Sequence, residues 1–203
     1  MSYFRPVWDT LSPPNARTCA HGASRQSAVS AKAVESDRVT DQPEQINLLL
    51  RSQRDTQRLG RVFGRALQPG DLVLLEGELG AGKTYLVQSI VRALGVPSDQ
   101  PVTSPTFEIL HEFHGQVPIV HADLYRLDLS ESLEELGLLQ RIAGDAVVLI
   151  EWGERFAREL SDFGVRVDME LGVGTQRRCT LRARGKRGLP LFTRLAQLLS
   201  PAV

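Results

Sequence analysis

An α/β domain, with a mixed but mainly parallel central sheet flanked by helices, is the fold class that this sequence predicts. Two unbroken apolar runs, "LVLLE" (72–76) and "AVVLIEW" (146–152), are of the kind that parallel sheets bury on both faces. Between and after them, "TYLVQSIVRALG" (84–95) and "LPLFTRLAQLL" (189–199) carry the 3.6-residue periodicity of amphipathic helices. Late in the chain, "GVRVDMEL" (164–171) and "RRCTLRAR" (177–184) alternate apolar and polar residues, as edge or half-buried antiparallel strands do.

The chain has 203 residues, 42% hydrophobic and 24% charged, with zero formal net charge, which suits one well-buried domain with a loose tail. No whole-molecule field draws it to nucleic acid or to a membrane, and neither membrane nor DNA is expected as a partner. Two cysteines, Cys19 and Cys179, are far apart and in no metal-ligand spacing, so a reducing cytoplasm is the simple reading. No apolar run reaches the roughly 18–20 residues that a spanning helix needs.

Residues 1–44 are sparse in apolar side chains, interrupted by Pro13-Pro14, and dominated by Ser, Ala and Arg, so they read as a disordered leader ahead of a domain spanning 45–203. A transit peptide and a start codon placed too far upstream are the alternatives. In "INLLLRSQRDTQRLGRVFGRAL" (46–67), Leu59, Val62, Phe63, Ala66 and Leu67 stand at helical spacing, with Ser52 or Asp55 as the cap. Pro69-Gly70-Asp71 is a turn into the first apolar strand, and Gly95 and Pro97 close the helix that follows it. "TFEILHEFH" (106–114) and "VPIVHADLY" (117–125) read as strands joined at His114-Gly115. "SESLEELGLLQRI" (130–142) reads as a helix capped by Ser130.

Chemistry concentrates where the first apolar strand meets its helix. Gly77-Glu78-Leu79-Gly80-Ala81-Gly82-Lys83-Thr84 satisfies G-x-x-x-x-G-K-[ST] in the strand-to-helix context that the motif requires. Glycines let backbone N–H groups converge into an anion nest at the positive end of a helix. Lys83 would reach β- and γ-phosphates and the Thr84 hydroxyl would ligate Mg²⁺, so a P-loop NTPase fold binding a nucleoside triphosphate is expected. Asp123 and Glu151 end the two strands that could supply the metal site's carboxylates; either could hold the metal through water or orient an attacking water. In "VTSPTFEIL" (102–110), Thr103, Ser104 and Thr106 crowd around Pro105, as a γ-phosphate sensor or as an ordinary proline-containing loop. His121 shares a strand face with Asp123, whereas His111 and His114 do not share one, and all three read as structural or solvent-facing.

Taken together, "GELGAGKT", "TSPTF", "HADLYRL" and "IEWGER", in this order, resemble the TsaE (formerly YjeE) family of small bacterial ATPases over roughly Arg51 to Arg187. The resemblance implies that Lys83 and Thr84 hold phosphates and Mg²⁺, that Asp123 is the essential aspartate, and that Glu151 is the magnesium-linked glutamate. It further implies Trp152 beside the nucleotide, a switch-like loop at Ser104-Pro105-Thr106, and, through the looser match of "RDTQRLG", Thr56 flanking adenine. Tyr85 departs from the second Thr that many members carry. The implied role is ATP hydrolysis that resets a threonylcarbamoyl-transfer complex with TsaB and TsaD, which modifies adenosine 37 of tRNA, with weak activity alone and tRNA met only indirectly. Rival readings are a small-molecule kinase with Asp123 as base and "RLDLSESLEELGLLQR" (126–141) as lid, and a nucleotide-gated binding module that scarcely turns over. No guanine-reading N-K-x-D motif is present. From Leu171 onward the chain is basic, with Arg177, Arg178, Arg182, Arg184, Lys186, Arg187 and Arg194, and that segment touches tRNA or a partner, or is a solvated face.

Overall fold

A computed structural model describes residues 45–105, 109–128, 132–160 and 164–200. Residues 1–44, Thr106 and Ser130 therefore lie outside the described residues, and with them the expected leader, one member of the switch-like loop and the expected helix cap.

A seven-stranded sheet runs through the described residues. Its strands are β1 (Gln45–Leu50), β2 (Leu72–Glu76), β3 (Leu110–His114), β4 (Pro118–Asp123), β5 (Val147–Glu151), β6 (Val165–Leu171) and β7 (Arg177–Ala183). Their order across the sheet is β1-β7-β6-β2-β5-β4-β3. The centre is parallel: β2 pairs with both β5 and β6, and β4 with β5. Antiparallel strands flank it, with β3 on β4 at one side and β7 between β6 and β1 at the other. The mixed α/β class read from the sequence is the one found. As the unbroken apolar runs required, every residue of β2 and β5 is buried.

The helices are α1 (Gln53–Ala66), α2 (Lys83–Ala93), α3 (Leu138–Ile142) and α4 (Gly185–Leu199). On one face of the sheet, Leu48, Val73, Leu75, Leu149, Val167 and Leu181 form a single core with α1, α2 and α4. On the other, Leu72, Leu74, Val148 and Ile150 pack with Leu124, Leu133, Leu138, Phe156 and Leu160. Ser52 caps α1, its Oγ accepting from the Asp55 backbone N–H at 3.3 Å, while Asp55 accepts from the Arg51 N–H at 3.0 Å; the helix begins where the capping pattern placed it.

Two expectations are corrected. The 130–142 helix shrinks to α3, because Gly137 takes a left-handed conformation (φ 66°) and 133–137 are turns; Leu133 and Leu138 are buried all the same. Of the two alternatives for β6 and β7, edge or half-buried, the structure has the second: the two pair antiparallel, and each has a partner on both sides. The last helix starts at Gly185 rather than Leu189, and Pro190 lies inside it.

Small residues set the spacing of α1 and α2. A Cβ added at Gly60 would lie 2.4 Å from Ser89 Cβ, and one at Gly64 would lie 2.5 Å from Ala93 Cβ. Gly60→Val should therefore force the helices apart and destabilise the protein by about 1–3 kcal/mol, read as a fall in melting temperature of roughly 2–12 °C. A melting temperature unchanged from wild type would show that the two helices are free to separate.

Candidate functional site

β2 ends at Glu76 and α2 starts at Lys83, so the glycine motif is the turn between them. Gly77 (φ 140°), Gly80 (φ 80°) and Gly82 (φ 101°) all have positive φ, and Gly82 caps α2 from the left-handed region. Gly77 is also a point of close approach: a Cβ there would lie 2.1 Å from the Met169 carbonyl oxygen of β6. From the side of β7, the Arg177 guanidinium braces the same loop, donating to the Ala81 carbonyl at 3.0 Å. A member of the basic C-terminal segment thus serves the loop's backbone. Arg182 and Arg184 pair with Asp168 and Glu154, and Arg194 with Asp71, at 2.5–3.3 Å, so these charges are balanced within the fold.

A cleft of about 770 Å³ opens over this turn. It is lined by Leu79, Gly80, Gly82, Lys83 and Thr84 of the loop and helix, and by Ser104, Pro105, Asp123, Glu151 and Trp152 from other elements. Parallel pairing of β4 and β5 puts Asp123 opposite Glu151, which is how two acids 28 positions apart in sequence reach one cleft. Thr84 Oγ1 donates to Glu151 Oε2 at 3.0 Å. Asp123 accepts from the Tyr125 backbone N–H at 3.0 Å and from the Ser104 hydroxyl, which ties the loop before β3 to the end of β4.

Lys83 is only 4% exposed. Its ammonium donates to the carbonyls of Gly77 (2.7 Å) and Glu78 (3.1 Å) and lies 3.8 Å from the centroid of the Trp152 ring. Burial lowers its pKa, and the charges of Glu151 and Asp123 oppose that shift. Trp152 follows β5 with φ 63°, the sole non-glycine residue with positive φ among the described residues. Such a conformation is uncommon outside glycine and concentrates at functional sites. It turns the indole over Lys83, and Tyr125 packs against it at 4.9 Å between centroids.

Thr56 is buried in the first turn of α1 and does not line the cleft; its neighbour Gln57 reaches the cleft-lining Tyr85, donating to the phenol oxygen at 2.8 Å. Gly77, Glu78 and Ala81 shape the loop behind the lining residues. The segment weighed as a lid has Leu127, Leu133 and Leu138 buried in the second core. Sequence reading missed Ile109, Tyr125 and Arg126, which also line the cleft. It also missed the tie between His121 and Glu151, whose Nε2 and Oε1 lie 3.1 Å apart. The signal available was the His-x-Asp spacing, which puts His121 on the Asp123 face one step deeper in the sheet. Glu76, at the end of β2, is a further buried carboxyl; burial raises its pKa even though it accepts from the Glu154 N–H at 2.7 Å.

The family model for threonylcarbamoyl adenosine biosynthesis protein TsaE matches residues 50–179, more than half of the chain and every residue that lines the cleft. The chain belongs to the TsaE family. Among curated TsaE proteins it is 39% identical to that of Treponema pallidum over 131 residues, covering 64% of this chain and 96% of that one. It is 42% identical to that of Streptomyces coelicolor over 122 residues, covering 58% and 80%. The crystal structure of Bacillus subtilis YdiB superposes with a TM-score of 0.63 at 26% identity, covering 78% of this chain and 98% of that one. The TsaE region ends inside β7, so β1 and α4, which complete the first core, lie mostly or wholly outside it. Nucleotide binding is consistent with this P-loop fold, and no helix among the described residues is long and apolar enough to cross a membrane.

Proposed function

We propose that this protein binds and hydrolyses ATP with Mg²⁺, and that this cycle serves threonylcarbamoyl modification of adenosine 37 in tRNA together with TsaB and TsaD in the cytoplasm. The observation that carries the chemical part is the Thr84–Glu151 bond of 3.0 Å beside a buried Lys83, at the mouth of a glycine turn with three positive-φ residues. The pathway rests on the names of the TsaE relatives.

The donor set fits magnesium. Thr84 and Glu151 offer hard oxygens at hydrogen-bond distance, and Asp123 lines the same cleft. No group of three or more His, Cys, Asp or Glu among the described residues could hold a metal by itself. That accords with an ion that keeps several waters and takes its remaining ligands from phosphate. When bound, magnesium supplies charge neutralisation on the β- and γ-phosphates. The chain's own part is then positioning. Amides of Gly80 to Thr84 would receive the phosphate oxygens, and Lys83 would exchange the carbonyls of Gly77 and Glu78 for them. Thr84 and Glu151 would hold the metal. Asp123 would accept a proton from, and orient, the attacking water, with Ser104 and Pro105 as the loop that senses the γ-phosphate. Trp152 would cover the site.

Glu151→Gln tests this assignment. It should raise the Mg²⁺ concentration needed for half-maximal ATP hydrolysis by roughly tenfold or more, with nucleotide binding in EDTA preserved. An unchanged Mg²⁺ requirement would remove Glu151 from the metal site. For the pathway, mass spectrometry of tRNA nucleosides after depletion should show loss of threonylcarbamoyladenosine, restored by the wild-type gene alone.

A further inference from the structure

His121 stands on β4 with no solvent exposure, between Ile119 and Asp123 on the same strand face. Ile119 precedes it on the same face, and Leu149 is its register partner on β5. Its Nε2 lies 3.1 Å from Glu151 Oε1, and Nδ1 has no hydrogen-bond partner among the described residues. A carboxylate can only accept, so Nε2 carries the proton and donates to it. The orphaned Nδ1 is a cost that a leucine in this place would not incur, because buried polar atoms are ordinarily satisfied.

The other oxygen of the same carboxylate accepts from Thr84. Glu151 is 2% exposed, with His121 facing one of its oxygens and Thr84 the other. A glutamate has three rotatable side-chain bonds, and one donor cannot fix both the position and the rotation of its carboxylate. Two donors, on opposite oxygens, can.

We infer that His121 is a positioning residue: by donating from Nε2 to Glu151 Oε1, it holds the carboxylate with Oε2 presented to Thr84 and to the metal bound there. This rests on the magnesium–nucleotide reading of the cleft. The histidine need not touch nucleotide, metal or water. It acts through Glu151, in the manner of groups that orient metal ligands from behind.

Two substitutions oppose a positioning role to a packing role. Glutamine can place an amide N–H near where Nε2 lies, whereas leucine has no donor and removes the orphaned nitrogen. With the full chain and a ribose-labelled fluorescent ATP, binding is measured in EDTA and then across a Mg²⁺ titration. His121→Leu should raise the Mg²⁺ midpoint roughly 10–100-fold and bind the probe in EDTA as wild type does. His121→Gln should keep the midpoint close to wild type. A leucine midpoint that does not move, or a glutamine midpoint that moves as far as leucine's, would overturn the positioning role. Wild-type protein that fails to bind the probe with or without Mg²⁺ would overturn the nucleotide reading instead. Should the leucine variant not fold, His121→Asn takes its place, since it is polar but too short to reach Glu151, and the same shift is expected of it.

Discussion

Lys83→Met should remove measurable ATP hydrolysis and weaken triphosphate binding by about 2–5 kcal/mol, at least roughly 30-fold at the lower end of that range, while changing the melting temperature little. Methionine keeps the aliphatic stem in a place that is 4% exposed and takes away the ammonium, with its charge and its donors. The opposing effects on stability can be named. The carbonyls of Gly77 and Glu78 lose their donor, which costs stability. Against this, burial lowers the Lys83 pKa in the folded protein, so folding bears a desolvation cost at every pH below that folded value, and the variant is free of it. That cost fades as the pH rises through the folded pKa, so the variant's relative stability should decline toward alkaline pH. Calorimetry at neutral and alkaline pH checks the sign, and fluorescent-nucleotide titration checks the affinity. If the variant bound triphosphate like wild type, the glycine turn would not be a phosphate site.

Asp123→Asn should lower the turnover number by on the order of 10²–10⁴-fold with nucleotide affinity nearly unchanged. Asparagine is close to isosteric and can still accept from the Tyr125 N–H, so the end of β4 stays in place. It loses the negative charge and the basicity required to take a proton from water. Asp123 lies opposite Glu151 in the β4–β5 register but is not bonded to Thr84, the arrangement expected of a water-orienting acid distinct from the metal-holding one. Single-turnover hydrolysis, alone and with TsaB and TsaD, is the measurement. Turnover at the wild-type rate would transfer the role of base to another group, and a large loss of affinity instead would place Asp123 at the metal.

The order of elements was legible wherever the local signal was strong. β2 and β5 stand out because strands buried on both faces must be apolar at every position, and the glycine motif is legible because φ values such as those of Gly77, Gly80 and Gly82 tolerate little else. Ser52 was legible because an N-cap needs only its own next three residues. β1 was not assigned: it pairs with β7, some 130 positions away, and nothing near Gln45–Leu50 announces that partner. The helix expected over 130–142 shortened because tertiary burial of Leu133 and Leu138 is satisfied by turns around Gly137 as well as by a continuous helix.

By itself, then, the sequence determined the α/β class, the glycine turn between strand and helix and the identity of the two strand-end acids, since each depends on residue type and short-range spacing. The tertiary structure alone decided that Asp123 and Glu151 stand opposite one another, that Thr84 meets Glu151, that Trp152 lies over Lys83, and that His121 backs the carboxylate. Those contacts depend on the order and register in which β4, β5 and β2 assemble. Register is a property of paired strands, and no single stretch of chain carries it.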